Sequence, residues 1–182
     1  MLRLFLGIPI DTASRTRLEE LVAAQPPVSG VRWLPGANWH VTVHFLGAVP
    51  EEMLPNLLAL MQVGLRDREV FSLGFEGYML APRGQAPRMI WARYQRHPAY
   101  RALVQEVQQL CAPVVPPPQA PRRNPMPHIT LARLRQPVAP VLPSVPLPDL
   151  PVDQLVLWAS DLRPSGAQYT ELGQWRLRPP AP

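Results

Sequence analysis

The chain contains no lysine. All 18 of its basic residues are arginine, against 13 acidic residues, and the formal net charge is +5. A basic balance favours an anionic partner, and a guanidinium group suits bidentate contact with phosphate and stacking on bases. An all-arginine composition is also what a genomic base bias produces, together with extra proline and alanine, so it does not decide function by itself. Cysteine is almost absent. Cys111 is the only one, which excludes an intrachain disulfide framework and suits a reducing cytoplasm. Its apolar neighbours and the prolines after it mark it as a small buried hydrophobe at the end of a helix. Long hydrophobic runs are also missing. The apolar start, Met1 to Ile8, is too short for a membrane span or a signal-peptide core, and it reads as a first strand. A cytoplasmic protein without a membrane partner is expected. None of the usual RNA-recognition modules leaves its signature here.

What is present is enough to fold. The 182 residues are 47% hydrophobic despite 26 prolines, which allows one large domain or two small lobes sharing a core. Leu2 to Ile8 predicts a strand. Asp11 or Thr12 can cap a helix through Arg15, Leu18, Leu21 and Val22. Val31 to Leu34 predicts a short strand, and Trp39 to Leu46 a longer one. Pro50-Glu51-Glu52 opens a second helix with Met53, Leu54, Leu57, Leu58, Leu60 and Met61 as its apolar set. Val70 to Leu80 and Met89 to Tyr94 predict a strand pair, and Tyr100 to Cys111 a third helix behind His97-Pro98. Two proline-rich stretches, Val114 to Met126 and Pro137 to Pro151, flank a strand at His128 to Leu134. Asp153 to Leu162 and Gln168 to Leu177 predict a closing hairpin. This order points to an α+β fold with mostly antiparallel sheet and helices packed outside.

Two stretches carry the chemistry. His40-Val41-Thr42 is matched 88 positions later by His128-Ile129-Thr130. In a strand, residues two apart share a face, so each motif presents an imidazole beside a hydroxyl. Two such faces across a gap suit phosphoryl chemistry, with an acid on one side of phosphorus and a base on the other. The pattern of strand, helix and His-x-Thr strand occurs twice and hints at two pseudo-symmetric lobes.

With their flanks, these stretches (His40 to Gly47, and Pro127-His128 through Arg133) resemble the two-histidine (2H) phosphoesterases. The similarity is to the branch of RNA 2′,3′-cyclic phosphodiesterases, also called 2′-5′ RNA ligases. It extends to Arg3 through Pro9, to Trp33 and Asn38-Trp39, and to Leu157 through Leu162 with Tyr169-Thr170. The resemblance implies a single bilobal domain over residues 1–182, with two sheets forming an open cleft and one His-x-Thr motif on each side. It implies no metal and no other cofactor. It implies hydrolysis of the 2′,3′-cyclic phosphate end of an RNA, or of a small cyclic nucleotide, to a 2′-phosphate, with reverse 2′-5′ ligation as a side capability. A monomer is expected.

By this resemblance His128 is the base on water and His40 the acid on the 3′ oxygen, while Thr42 and Thr130 bind the non-bridging oxygens. Phe45 and Arg133, each five after its histidine, would hold the terminal nucleobase or ribose. Flat alternation puts both on the face opposite the histidines, so they reach the cleft only where the strand ends, twists or bulges. A core position for Phe45 is the competing reading. His44 shares His40's face, as a participant or as a strand-edge residue. A zinc site on His40 and His44 is rejected, because the i, i+4 spacing serves a helix and not a strand. His97 reads as a solvated helix-start residue. Arg122 and Arg123, and likewise Arg83 and Arg88, are either RNA contacts at the cleft mouth or solvated loop residues. The alternatives at the level of function are an RNA-binding protein that keeps the cleft without turnover, and a 2H esterase for another small phosphodiester.

Overall fold

The computed structural model describes residues 1–82, 86–115, 125–135, 140–164 and 166–179. Arg83, Arg122 and Arg123 lie outside the described residues.

The chain opens with β1 (Leu2–Pro9) and α1 (Thr12–Ala23). Asp11 is the cap of α1: its Oδ1 accepts from the Ser14 backbone N–H at 2.9 Å, which satisfies one of the orphan donors of the first turn. A short β2 (Val31–Trp33) leads to β3 (His40–Val49). The second helix starts later than expected. Glu51–Met53 forms a 3₁₀ turn, and α2 runs over Leu54–Gly64. The expected strand from Val70 to Leu80 is divided. β4 (Phe71–Leu73) stops before Gly74, and β5 (Phe75–Ala81) follows it. After β6 (Met89–Tyr94), α3 occupies Pro98–Cys111. His97 is its cap, with Nδ1 accepting from the Ala99 N–H at 3.2 Å and the ring stacked on Phe71; this replaces the solvated position expected for it. β7 (His128–Leu134), β8 (Leu150–Val152), β9 (Gln154–Arg163) and β10 (Gly166–Arg176) complete the order.

The sheet runs β10-β9-β1-β3-β7-β6-β5, with β2 paired to β7, and all of these pairings are antiparallel. Its two halves meet between the motif strands at one residue pair, Val41 and Ile129. The expected two sheets are therefore two half-sheets joined at a single rung. β4 and β8 form a separate small sheet, which is why the stretch around Gly74 cannot be one strand.

The faces away from the joint are covered by helices. Tyr100, Leu103, Val104, Val107 and Cys111 are the buried positions of α3, a three-and-four spacing that makes one apolar stripe. They join Leu4, Leu6 and Ile8 of β1, Val41 and Val43 of β3, and Ile129 and Leu131 of β7 in one core cluster. Tyr100 also donates its hydroxyl to the Thr42 carbonyl at 2.9 Å, so α3 grips the backbone of the first motif. Cys111 is buried in this cluster. Among the described residues, no helix is long and apolar enough to cross a membrane.

Candidate active site

A cleft of about 430 Å³ opens over the joint between β3 and β7, and His40, Thr42, His128 and Thr130 all line it. Alternation explains half of this. Val41 and Ile129 are fully buried on the helix side, so the histidine and threonine on either side of each must turn outward. The single rung between Val41 and Ile129 then brings the two motifs together across the joint.

Both histidines are oriented in the same way. His40 Nδ1 lies 2.8 Å from the Asn38 carbonyl oxygen, and His128 Nδ1 lies 2.9 Å from the Met126 carbonyl oxygen. A carbonyl only accepts, so each Nδ1 carries the proton and donates it. In the neutral ring Nε2 is then the basic nitrogen. For His40 it lies 3.0 Å from Thr42 Oγ1, which donates to it. The approach to β3 is itself fixed. The Asn38 amide donates to the Ala167 carbonyl at 2.8 Å, and so ties the β9–β10 hairpin to the residue that orients His40.

The two rings have different surroundings. His40 sits among Phe5, Tyr169 and Trp158, with ring centroids 4.8, 5.5 and 5.6 Å away. This burial holds its pKa well below the usual value, at about 4; the Asn38 carbonyl opposes the shift and the charge of His128 adds to it. His128 stacks on the indole of Trp91, with ring centroids 3.7 Å apart.

Phe45 and Arg133 both line the cleft, and bulges put them there. In β3, Phe45 stands opposite Phe5 while Leu46 and Val43 are skipped in the register with β1. In β7, Leu131 is skipped between Thr130 and Ala132 in the register with β6. A residue inserted after the threonine reverses the alternation, so the residue five after each histidine returns to the histidine's face. Phe45 is 60% exposed, which overturns its reading as a core residue. The same irregularity sets His44 opposite Leu6, a core residue, and His44 does not share the cleft with His40. Arg88, just ahead of β6, is exposed and does not line the cleft.

One relative from Thermus thermophilus, named RNA 2′,3′-cyclic phosphodiesterase, is 32% identical over 97% of this chain and 91% of its own length. The chain belongs to the LigT-like phosphoesterase family. The family model described as LigT like phosphoesterase matches residues 8–91. A second relative with the same name, from Archaeoglobus fulgidus, is 32% identical over half of each chain. Among solved structures, TT0787 of Thermus thermophilus superimposes with a TM-score of 0.84 at 30% identity, covering 98% of this chain and 99% of that one. Escherichia coli LigT complexed with NADP+ gives 0.76 at 25% identity, over 97% and 98%.

Within this family frame, three cleft groups and one ring behind the cleft were not singled out from the sequence. Arg3 and Phe5 of β1, together with Tyr169 of β10, line the cleft, and Trp91 of β6 backs His128. Burial raises the Tyr169 hydroxyl's pKa, while Arg133 and Arg3 pull it back, so both guanidinium groups act on one ring at the cleft. Arg3 and Phe5 are two apart in a strand and share a face, a signal that becomes informative only once β1 is known to lie beside β3.

Proposed function

We propose that the protein hydrolyses the 2′,3′-cyclic phosphate ends of RNA to 2′-phosphates by paired-histidine acid–base catalysis. The observation that carries this reading is the pair of motif histidines. Each commits Nδ1 to the carbonyl two residues earlier, and both line one cleft with their threonines. The names of the relatives support the substrate.

The step balances with the residues of this chain. A water oxygen attacks phosphorus and gives its proton to Nε2 of His128. The bond from phosphorus to the 3′ oxygen breaks in line, and Nε2 of His40 protonates the leaving oxygen. The 2′-phosphate remains. Solvent then resets both rings. Each proton transfer contributes roughly 10²–10⁴-fold. The Thr42 and Thr130 hydroxyls donate to the non-bridging oxygens as charge builds, and Thr42 turns from His40 to the substrate to do so. Phe45 and Arg133 hold the terminal nucleoside by stacking, with Arg133 adding charge near the phosphate. A ribose 5′-hydroxyl in place of water would join two ends through a 2′-5′ linkage. Both histidines come from one chain over one shared core, which supports a single catalytic domain acting as a monomer.

The test is a short RNA with a 2′,3′-cyclic phosphate end, incubated with the protein in EDTA, with products resolved by phosphate position. A 2′-phosphate is expected at an unchanged rate in EDTA. His40→Ala and His128→Ala should each remove nearly all turnover while the protein stays folded. Activity that survives both changes would sink the mechanism, and a 3′-phosphate product would reverse the placement of acid and base.

A further inference from the structure

Beside the histidine cleft lies a second cavity of about 390 Å³, and the two share Leu34, Asn38, Arg133, Ala167 and Tyr169 as a common wall. Arg32 and Arg163 extend this second cavity away from the histidines. Three guanidinium groups therefore converge on one concave space, and among the described residues that line it none is acidic.

The backbone places these charges at a cost. Arg32 and Arg133 are direct partners across β2 and β7, and like charges at directly opposed positions destabilise a sheet pair. Gly166 accommodates the first of them. It has φ +133, and a Cβ there would stand 2.6 Å from the Arg32 guanidinium, so the absence of a side chain leaves the space into which Arg32 extends. Arg163 is steadied through Nε by exposed Asp161 at 2.8 Å. Its terminal nitrogens take no part in that bond. An anion between the three groups would turn the cross-strand repulsion into attraction, with planar donors matched to phosphate oxygens.

We infer that this cavity is a second phosphate subsite, which takes the phosphodiester on the 5′ side of the terminal nucleotide. The inference rests on the proposed function, because it assumes that the cyclic phosphate occupies the space between His40 and His128. The terminal nucleoside then lies against Phe45 and Arg133, and its 5′ phosphate reaches past Arg133 toward Arg32 and Arg163. The substrate class becomes an RNA chain end in preference to a free cyclic mononucleotide.

The test has a kinetic arm and an equilibrium arm. In the first, kcat/KM is measured for adenosine 2′,3′-cyclic phosphate with and without a 5′-phosphate, and for a dinucleotide with the same cyclic end. In the wild-type protein the 5′ phosphate should raise kcat/KM about tenfold, the scale of one charge-assisted hydrogen bond. The dinucleotide should gain at least as much. In the double variant Arg32→Gln, Arg163→Gln, the ratio between phosphorylated and unphosphorylated substrates should fall to near unity. In the second arm, adenosine 2′-phosphate and adenosine 2′,5′-bisphosphate are titrated by calorimetry. The bisphosphate should bind about tenfold tighter, on the same scale, and the double variant should lose that advantage. A bisphosphate advantage that is absent, or that survives in the double variant, overturns the subsite. Loss of turnover on every substrate, with the bisphosphate advantage intact, overturns the catalytic reading and leaves the subsite standing. A gain confined to the dinucleotide also overturns the inference, since the second nucleoside would then be the recognised group.

Discussion

His40 carries the most demanding role in the proposed reaction, because burial leaves it neutral when the cleft is empty. A pKa of about 4 means that roughly one ring in a thousand is protonated at pH 7. An acid must hold its proton when the leaving group departs, so the proton has to arrive with the substrate. The phosphate supplies the reason. A unit negative charge roughly 4 Å from the ring, at an effective dielectric near 20, is worth about 4 kcal/mol. At ~1.36 kcal/mol per pH unit this raises the imidazole by about 3 units, to near 7, where an acid is effective. The assay is an NMR titration of the His40 ring in labelled protein, empty and then saturated with adenosine 2′-phosphate. His44→Gln, His97→Gln and His128→Gln variants assign the resonances by elimination among the four histidines. The expected midpoints are about 4 and about 7. A midpoint near 6.5 in the empty protein, the ordinary value, would refute the burial argument. A midpoint that stays near 4 with phosphate bound would make His40 the base and His128 the acid.

The same buried ring makes stability depend on pH. His40 is depressed in the folded chain from 6.5 to about 4, so the unfolded chain binds more protons within that window and stability falls as the solution is acidified through it. Between pH 7 and pH 5 the loss from this residue is about 2 kcal/mol, and urea unfolding of His40→Gln should show a correspondingly smaller decline than the wild type. Gly7→Ala should damage catalysis without touching substrate. A Cβ there would meet the Val41 carbonyl at 2.8 Å, Trp158 at 3.1 Å and the His40 ring at 3.3 Å; a stability loss of about 1–3 kcal/mol is expected for such overpacking, with a fall in kcat as His40 shifts. Phe45→Ala should cost less than about 0.5 kcal/mol, as surface changes do, and raise KM. A large loss of stability would return Phe45 to the core.

Much of the site was legible because it rests on short-range rules. His40 with Thr42, and His128 with Thr130, share a face by strand alternation alone, and the structure puts all four in one cleft. Asp11 as a helix cap and the stripe on α3 followed from local signals of the same kind. What was not legible depends on partners distant in sequence. Gly74 ends β4 because Phe71–Leu73 pair with Leu150–Val152, nearly eighty residues away in a stretch read as a proline-rich linker. Arg3 and Phe5 became cleft residues only when β1 paired with β3. His97 looked solvated because its stacking partner, Phe71, belongs to another element.

In the proposed reaction, the bulges would let two motifs of the same spacing hold a whole substrate. A regular strand would offer the cleft only the histidine, the threonine and every second residue after them. One residue inserted ahead of Phe45 in β3 and one ahead of Arg133 in β7 shift the phase after the threonine, so the fifth residue faces inward and differs between the halves: an exposed phenyl ring from Phe45 and a guanidinium from Arg133. The proposed chemistry and recognition would thus be separated along each strand. The histidine and threonine positions are duplicated, as the proposed reaction with two proton transfers would require. The position beyond each bulge is individual, as an asymmetric nucleoside requires. Behind the histidines, similar backbone bonds to Nδ1 are joined by aromatic contacts: Phe5, Trp158 and Tyr169 enclose His40, and Trp91 stacks on His128. Enclosure of this kind, which takes the ring out of water, is what lowers the proton affinity of His40. Replacing one of the three rings is therefore the most direct way to test that link: Trp158→Leu should admit water to His40 and bring its midpoint in the empty cleft up from about 4 toward 6.5, and an unchanged midpoint would show that the aromatic enclosure is not its cause.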